Sequence, residues 1–240
     1  KYFPQAHIWA SRGCPFKCIF CVWPASMTGN DPDGDKKRTV RQYSKNYMKN
    51  FIGHLMEKYK YQTIYFDDDT FNIGNKHTVD MCEIMSEFKV PWFAMCRADS
   101  IRKETWKIMR DSGCQGVKIG VESGDQYVVD KIVNKHLDLN YTKEIVQYIK
   151  SLGMSVHGTF TYGLPGETKA NMIQTKKYIS EVKFTTVQES GTAEIEGAPL
   201  HNLNKKNLDA YPAAKINEEY TRHTDGSKKW MDLVQTLQNK

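Results

Sequence analysis

At 240 residues, 40% hydrophobic and 26% charged, the chain has the make-up of one globular α/β domain with a large core. The formal net charge of +6 is modest, and basic residues cluster only at Lys36-Lys37-Arg38 and Lys228-Lys229, which read as solvated loops, so nucleic-acid binding is disfavoured. No apolar run approaches membrane-spanning length, and no secretory signal precedes the first cysteines.

In chain order, the sequence alternates two kinds of segment. Ile8 marks a first strand, followed by the loop Ser11-Arg-Gly-Cys-Pro-Phe-Lys-Cys-Ile-Phe-Cys21. Residues 42–59 repeat with helical period, setting Tyr43, Tyr47, Met48, Phe51, Ile52, Leu55, Met56 and Tyr59 on one face. The tyrosines at 43, 47 and 59 are expected to pack rather than to stack bases. The strand Thr63-Ile-Tyr-Phe66 ends in Asp67-Asp68-Asp69, and Met81, Ile84, Met85 and Phe88 mark a second helix. Pro91 to Cys96 is the third strand, Trp106, Ile108 and Met109 belong to a third helix, and Gly116 to Val121 is the fourth strand. A two-part helical region around 125–134 and 141–152 precedes the strand Val156 to Tyr162. A helix bearing Met172, Ile173, Tyr178 and Ile179 precedes the last strand, Thr185 to Gln188. Residues 201–227 are polar and weakly periodic, and Trp230, Leu233, Val234 and Leu237 predict a final amphipathic helix.

Six strands separated by helices predict an α/β fold, a partial (β/α)6 TIM-like barrel with parallel strands over 1–200, with 201–240 as a C-terminal connection and helix. Polar residues follow each strand: the cysteines, the Asp triplet, Arg97 with Asp99, Glu122-Ser123-Gly124, Gly163-Leu-Pro-Gly-Glu167, and Gln188 with Ser190. Parallel barrels build their sites from such strand ends, so these six clusters predict one site.

Cys14, Cys18 and Cys21 stand in C-x3-C-x2-C spacing, and the next cysteine is Cys82. A tetrahedral zinc site takes four protein ligands, as does an ordinary cubane cluster, so three thiols leave one metal position open. A zinc knuckle would need His7, Cys82 or Cys114 as a distant fourth ligand. Cys82 and Cys114 read as packed free thiols, Cys96 as a buried thiol that can approach the site, and His157 as a core histidine. The spacing is poor for disulfides, and thiols point to a reducing, cytoplasmic compartment. The chain has no initiator Met and opens just ahead of its first apolar stretch, so it is expected to be cut from a longer protein.

With its thiol loop and aromatic Phe20 before the last Cys, the chain resembles the radical S-adenosylmethionine superfamily over roughly residues 5–200. Ser11-Arg-Gly-Cys-Pro-Phe16, Phe66-x-Asp68-Asp69-x-Phe71, Gly120-Val-Glu-Ser-Gly124 and Gly163-Leu-Pro-Gly-Glu-Thr168 look like the branch that usually carries an N-terminal cobalamin-binding domain. The resemblance implies a [4Fe–4S] cluster on Cys14, Cys18 and Cys21 whose open iron binds S-adenosylmethionine. Reductive cleavage there would give methionine and a 5′-deoxyadenosyl radical that acts on the substrate, with electrons from a flavodoxin- or ferredoxin-type donor.

Carried over by position, the resemblance places Phe20 near the adenine, Asp68 and Asp69 near the methionine amino group, and Arg97 on its carboxylate. It places Glu122 and Ser123 on the ribose, Gly163 close to the adenine, and Gln188 as a weaker site residue. Where the branch often reads Pro-aromatic-Pro-Gly-Thr after the sixth strand, this chain has Glu194-Ile-Glu-Gly-Ala198. Cobalamin would belong to a domain outside these residues, so methylation or rearrangement are both open. The competing readings are a methylthiotransferase of RNA or protein and a non-catalytic zinc or Fe–S module.

Overall fold

The computed structural model describes residues 4–22, 40–193 and 195–203. The expected basic run at 36–38 and the amphipathic helix at 230–237 lie outside them. Six strands form one parallel sheet in chain order: β1 (Gln5–Ile8), β4 (Thr63–Phe66), β5 (Trp92–Cys96), β6 (Cys114–Glu122), β7 (Ser155–Tyr162) and β8 (Thr186–Gly191). Helices α1 (Lys45–Tyr59), α2 (Asn75–Phe88), α3 (Lys103–Asp111), α4 (Leu139–Ser151) and α5 (Lys169–Val182) occupy the crossovers, and a short α6 (Pro199–Leu203) follows β8. Among the described residues β1 and β8 pair only inward, so the barrel is open between them, as a partial (β/α)6 barrel requires.

The helical period beginning at residue 42 overruns the true start. Arg41–Gln42 is instead a strand, β3, antiparallel to β2 (Ser11–Arg12). Ser44 then caps α1, accepting the Tyr47 N–H at 3.2 Å. Asp138 caps α4 in the same way, and Thr168 with Asn171 forms a capping box on α5. Of the two-part helical region, 125–134 resolves to a π turn, Val128–Ile132, and 141–152 to α4.

The core lies between the sheet and the helices. Along β7, Val156, Gly158, Phe160 and Tyr162 are buried, whereas Ser155, His157, Thr159 and Thr161 are half-exposed and face the lumen. Phe66, Phe71 and Trp92 meet edge-on and tilted at 4.7–5.5 Å between ring centres. Met48 and Ile52 of α1, Met81 and Met85 of α2, and Ile145 and Ile149 of α4 complete that layer. His157 is therefore a lumen residue and not a core one. Tyr47 and Tyr59 are about half exposed, and Tyr43, Tyr47 and Phe51 stack along α1. Gln188 and Ser190 lie within β8 rather than after it, because that strand runs on to Gly191.

Candidate functional site

The thiol loop is held from both ends at the C-terminal edge of the sheet. The Asp triplet after β4 fastens its start. Asp68 accepts the Ala10 N–H at 3.2 Å and the Ser11 hydroxyl at 2.5 Å. Asp69 accepts the Gly13 N–H at 2.8 Å, and the Thr70 hydroxyl lies 3.5 Å from Cys14 Sγ. Gly13 turns the chain into the loop at φ 91°, where a side chain would be strained.

Segment 128–136 fastens the far end. Ile19 N–H donates to Val133 O at 3.0 Å, and Asn134 Nδ2 donates to Lys17 O at 3.1 Å. Ile19, Val128, Ile132, Val133, Leu164 and Leu200 form a small apolar cluster against which Cys18 and Phe20 pack. Asn134 and His136 then take positive φ, 58° and 51°, so the chain coils back under the sheet end.

Between these anchors is a cavity of about 170 Å3 lined by all three loop thiols together with Phe16, Phe20, Asp69, Cys96, Arg97, Glu122 and Lys135. Two larger hollows, about 480 and 410 Å3, are lined by outer helices and turns and hold no thiol. Burial pushes the Cys18 thiol up, with Lys135 and Arg97 pulling the other way, so its thiolate calls for a strong cationic partner. Cys96 reaches the cavity from the end of β5 at 6% exposure, whereas the three loop cysteines are partly exposed.

The cavity's charged pair is Lys135 and Glu122. Lys135 Nζ donates to Glu122 Oε1 at 2.8 Å, and Thr161 donates to Oε2 at 3.1 Å. Desolvation acts to lower the Lys135 pKa, but Glu122 and Cys18 outweigh it and hold the ammonium above its ordinary value. The strand irregularity between Gly120 and Glu122 and the φ of 74° at Glu122 place this carboxylate. Gly120 makes room: a Cβ there would meet Glu122 Oε1 at 2.5 Å and Lys135 Nζ at 3.0 Å.

Arg97 is already engaged. Its Nε and Nη2 donate to Asp99 at 2.5 and 2.9 Å, Nη2 also donates to the Lys135 and His136 carbonyls at 2.8 and 3.0 Å, and its Cζ lies 3.7 Å from the centre of the Phe16 ring. The guanidinium expected to meet a ligand carboxylate thus clamps the main chain that carries Lys135.

Of the residues singled out in the sequence, the fold gathers Phe20, Asp69, Arg97 and Glu122 with the three thiols. Asp68, Ser123, Gly163 and Gln188 are not in the cavity lining. Asp68 turns back to hold residues 10 and 11, and burial pushes its carboxyl up to about 6. Ser123 is buried with its hydroxyl 3.0 Å from Thr175 Oγ1. Gly163, at φ 76°, donates its N–H to Glu167 at 2.8 Å, and Gln188 lies exposed in the lumen. Lys135 was not expected. It lies 13 positions beyond Glu122 in an irregular stretch with no periodic signal.

Glu167 is fully buried and accepts the Gly163 and Leu164 N–H groups on Oε2, while Oε1 has no partner among the described residues. Burial raises its pKa to about 8 from 4.5, so the folded state keeps the proton longer than the unfolded chain. That contribution is complete below pH 4.5 and is lost as pH rises through 8. Between about pH 6.5 and 8 this group alone is expected to lower stability by about 2 kcal/mol. Denaturant titrations of Glu167→Gln should lose that slope, and a slope unchanged by the substitution would assign it elsewhere.

The fold and site together define a partial (β/α)6 barrel with a three-thiol loop at its C-terminal face. Residues 10–179 match the Radical SAM superfamily, and the chain belongs to it. Members of this superfamily use a [4Fe–4S] cluster and S-adenosylmethionine. The chain is 26% identical over 208 residues to cytidylyl-2-hydroxyethylphosphonate methyltransferase of Streptomyces wedmorensis, covering 80% of this chain and 36% of that protein. It is also 26% identical over 199 residues to an uncharacterised methyltransferase of Pyrococcus horikoshii, covering 82% and 41%. The chain thus spans well under half the length of these relatives. In fold it is similar to the radical S-adenosylmethionine methyltransferase TsrM of Kitasatospora setae, solved with cobalamin and a [4Fe–4S] cluster bound, at TM-score 0.70, 15% identity and coverage of 82% and 36%. No helix among the described residues is long and apolar enough to cross a membrane.

Proposed function

We propose that this chain is the catalytic core of a radical S-adenosylmethionine methyltransferase, with Cys14, Cys18 and Cys21 as ligands of a [4Fe–4S] cluster and one iron left open. The observation that carries this reading is the convergence of three loop thiols on one cavity that also holds the Lys135–Glu122 pair. The donor set fits the group: three loop thiols face one cavity, and the thiolate that burial disfavours at Cys18 is the form an iron ion would stabilise. Reduced by a flavodoxin- or ferredoxin-type protein, such a cluster supplies the electron that cleaves the sulfonium C–S bond of S-adenosylmethionine.

The chain's own residues would bind and orient that molecule. The Lys135 ammonium suits the methionine carboxylate, and Glu122, whose oxygens each accept one bond here and have a lone pair to spare, suits the ribose hydroxyls. Phe20 supplies an apolar face for the adenine. Arg97 acts through Lys135, holding its main chain, and Asp68 and Asp69 act by fixing the loop. Methyl transfer, rather than rearrangement, is favoured by the methyltransferases among the relatives. Cobalamin would be brought by a further domain, and the thiols and reductant fit a cytoplasmic setting.

Anaerobic reconstitution with iron and sulfide, then dithionite and S-adenosylmethionine, tests this reading. Formation of 5′-deoxyadenosine that depends on all three cysteines supports it, and zinc in place of iron overturns it. Lys135→Met and Glu122→Gln should each weaken S-adenosylmethionine binding about 10- to 100-fold in equilibrium dialysis, with iron content unchanged. Unaltered affinity in both variants would remove this pair from the binding site.

A further inference from the structure

The lumen face of the sheet carries a second polar set beneath the thiol cavity. Lys118 of β6 pairs in register with His157 of β7, and His157 with Thr186 of β8. Side chains alternate along a strand, so Lys118 shares the face of Gly120, and His157 that of Thr159. Gly120 and Thr159 both line the cavity. Lys118 and His157 therefore form the next layer down, about 7 Å along the strands.

These groups are tied together by Gln188. Lys118 Nζ donates to Gln188 Oε1 at 3.3 Å, and the same amide lies close enough to act on the His157 imidazole. His157 Nδ1 is 2.7 Å from Thr186 Oγ1, and Gln188 Nε2 donates to Ser190 Oγ at 3.3 Å. Parallel barrels usually fill this level with branched apolar side chains. Here β6, β7 and β8 place an ammonium, an imidazole, an amide and hydroxyls there, all half-exposed or exposed, beside Met95 of β5, which is in register with Lys118.

Charge makes the set incomplete. Among the described residues, Arg97 and Lys135 line the cavity, and Lys118 shares the face of Gly120 on β6. Arg97 is paired with Asp99 and Lys135 with Glu122, but the described partner of Lys118 is a neutral amide oxygen. The adjacent carboxylate on β8, Glu189, faces the other side of the sheet, where it binds Tyr162 at 2.6 Å and pairs with Lys176. A half-buried ammonium ringed by hydrogen-bonding groups and lacking a carboxylate is complementary to an anion supplied from outside.

We propose that Lys118, His157 and Gln188 form a subsite for an anionic group, carboxylate or phosphate, of a small substrate that lies in the lumen with its other end toward the thiol cavity. This rests on the cavity being the cofactor site, because only then is the adjoining lumen the substrate's place. Lys118 supplies the charge, and His157 and Gln188 fix the orientation through hydrogen bonds. The class of substrate that follows is a small organic acid or phosphorylated or phosphonylated metabolite rather than a neutral lipid or a macromolecular surface.

The test is an NMR titration of the whole chain carrying [13Cε1]histidine, with the His157 signal assigned through His157→Gln. Inorganic phosphate and acetate are added separately at constant ionic strength, to reconstituted and to cluster-free protein. The expected result is a saturable His157 shift, with affinity reduced at least about tenfold in Lys118→Met and kept in Lys118→Arg. Saturation by phosphate alone assigns a phosphorylated or phosphonylated substrate, and saturation by acetate alone assigns a carboxylate. No saturable shift with either probe, or the same shift in Lys118→Met, overturns the subsite. The titration uses no S-adenosylmethionine, so the two readings fail separately. A protein that forms 5′-deoxyadenosine without responding to anions lacks only the subsite, and one that responds without holding iron lacks the proposed cofactor site.

Discussion

Replacing Cys18 by alanine is expected to abolish iron binding and S-adenosylmethionine cleavage together while leaving the barrel folded. The residue is partly exposed, lining the cavity and packing against the edge of the small cluster of Ile19, Val128, Ile132, Val133, Leu164 and Leu200, so its removal should cost the apoprotein about 1 kcal/mol or less. The loop itself is held by contacts that do not involve the sulfur: Asp68 and Asp69 at its start, Val133 and Asn134 at its end. A cubane with two protein ligands instead of three loses a covalent bond, so iron should fall from about four per chain to background. Cys96→Ala is the control. That thiol lines the same cavity but is buried at the end of β5, and the variant should keep its iron at a cost in stability. Wild-type iron in Cys18→Ala, or its loss in Cys96→Ala, would reassign the ligands.

The second large effect concerns the fold beneath the site. Gly124→Ala should destabilise the protein by about 3 kcal/mol, because a Cβ there would meet Tyr178 Cβ at 2.4 Å and the Thr175 Cα at 2.7 Å. Both obstacles belong to α5, and neither is the far end of a flexible side chain. The close approach also carries hydrogen bonds, since Gly124 N–H donates to Thr175 Oγ1 at 3.0 Å and the Ser123 hydroxyl sits 3.0 Å from the same oxygen. For a chain of this length the melting temperature of the cluster-free protein should fall by roughly 6–12 °C. The turn follows directly on Glu122, so S-adenosylmethionine affinity should fall with it. Unchanged melting would mean that the turn and α5 can part at little cost.

These two residues also mark where sequence reading reaches its end. Cys18 was legible because three thiols in a short loop are a covalent arrangement that no fold is needed to assemble. The six strand–helix units were legible for a similar reason: periods of two and of 3.6 are written in neighbouring residues. The order of the parallel strands then followed from the rule that such units lie side by side. Gly124 stood in a recognised motif, yet its reason, the backbone of a helix some 50 positions later, lies outside any local pattern.

The same limit separates the two halves of the site. By itself the sequence determined the thiol loop, the parallel barrel, and the strand ends that bring Asp69, Arg97 and Glu122 to one edge. Only the tertiary structure decided that Asp68 turns back to anchor the loop, that Arg97 is spent on the carbonyls of Lys135 and His136, and that Gln188 joins Lys118 and His157 in the lumen. It alone brought Lys135 to Glu122, through a π turn and two left-handed residues that carry no period. Local spacing specifies which elements form and which strand ends converge. Which charged groups find one another depends on side-chain contacts between distant segments, and those exist only once the chain has closed around them.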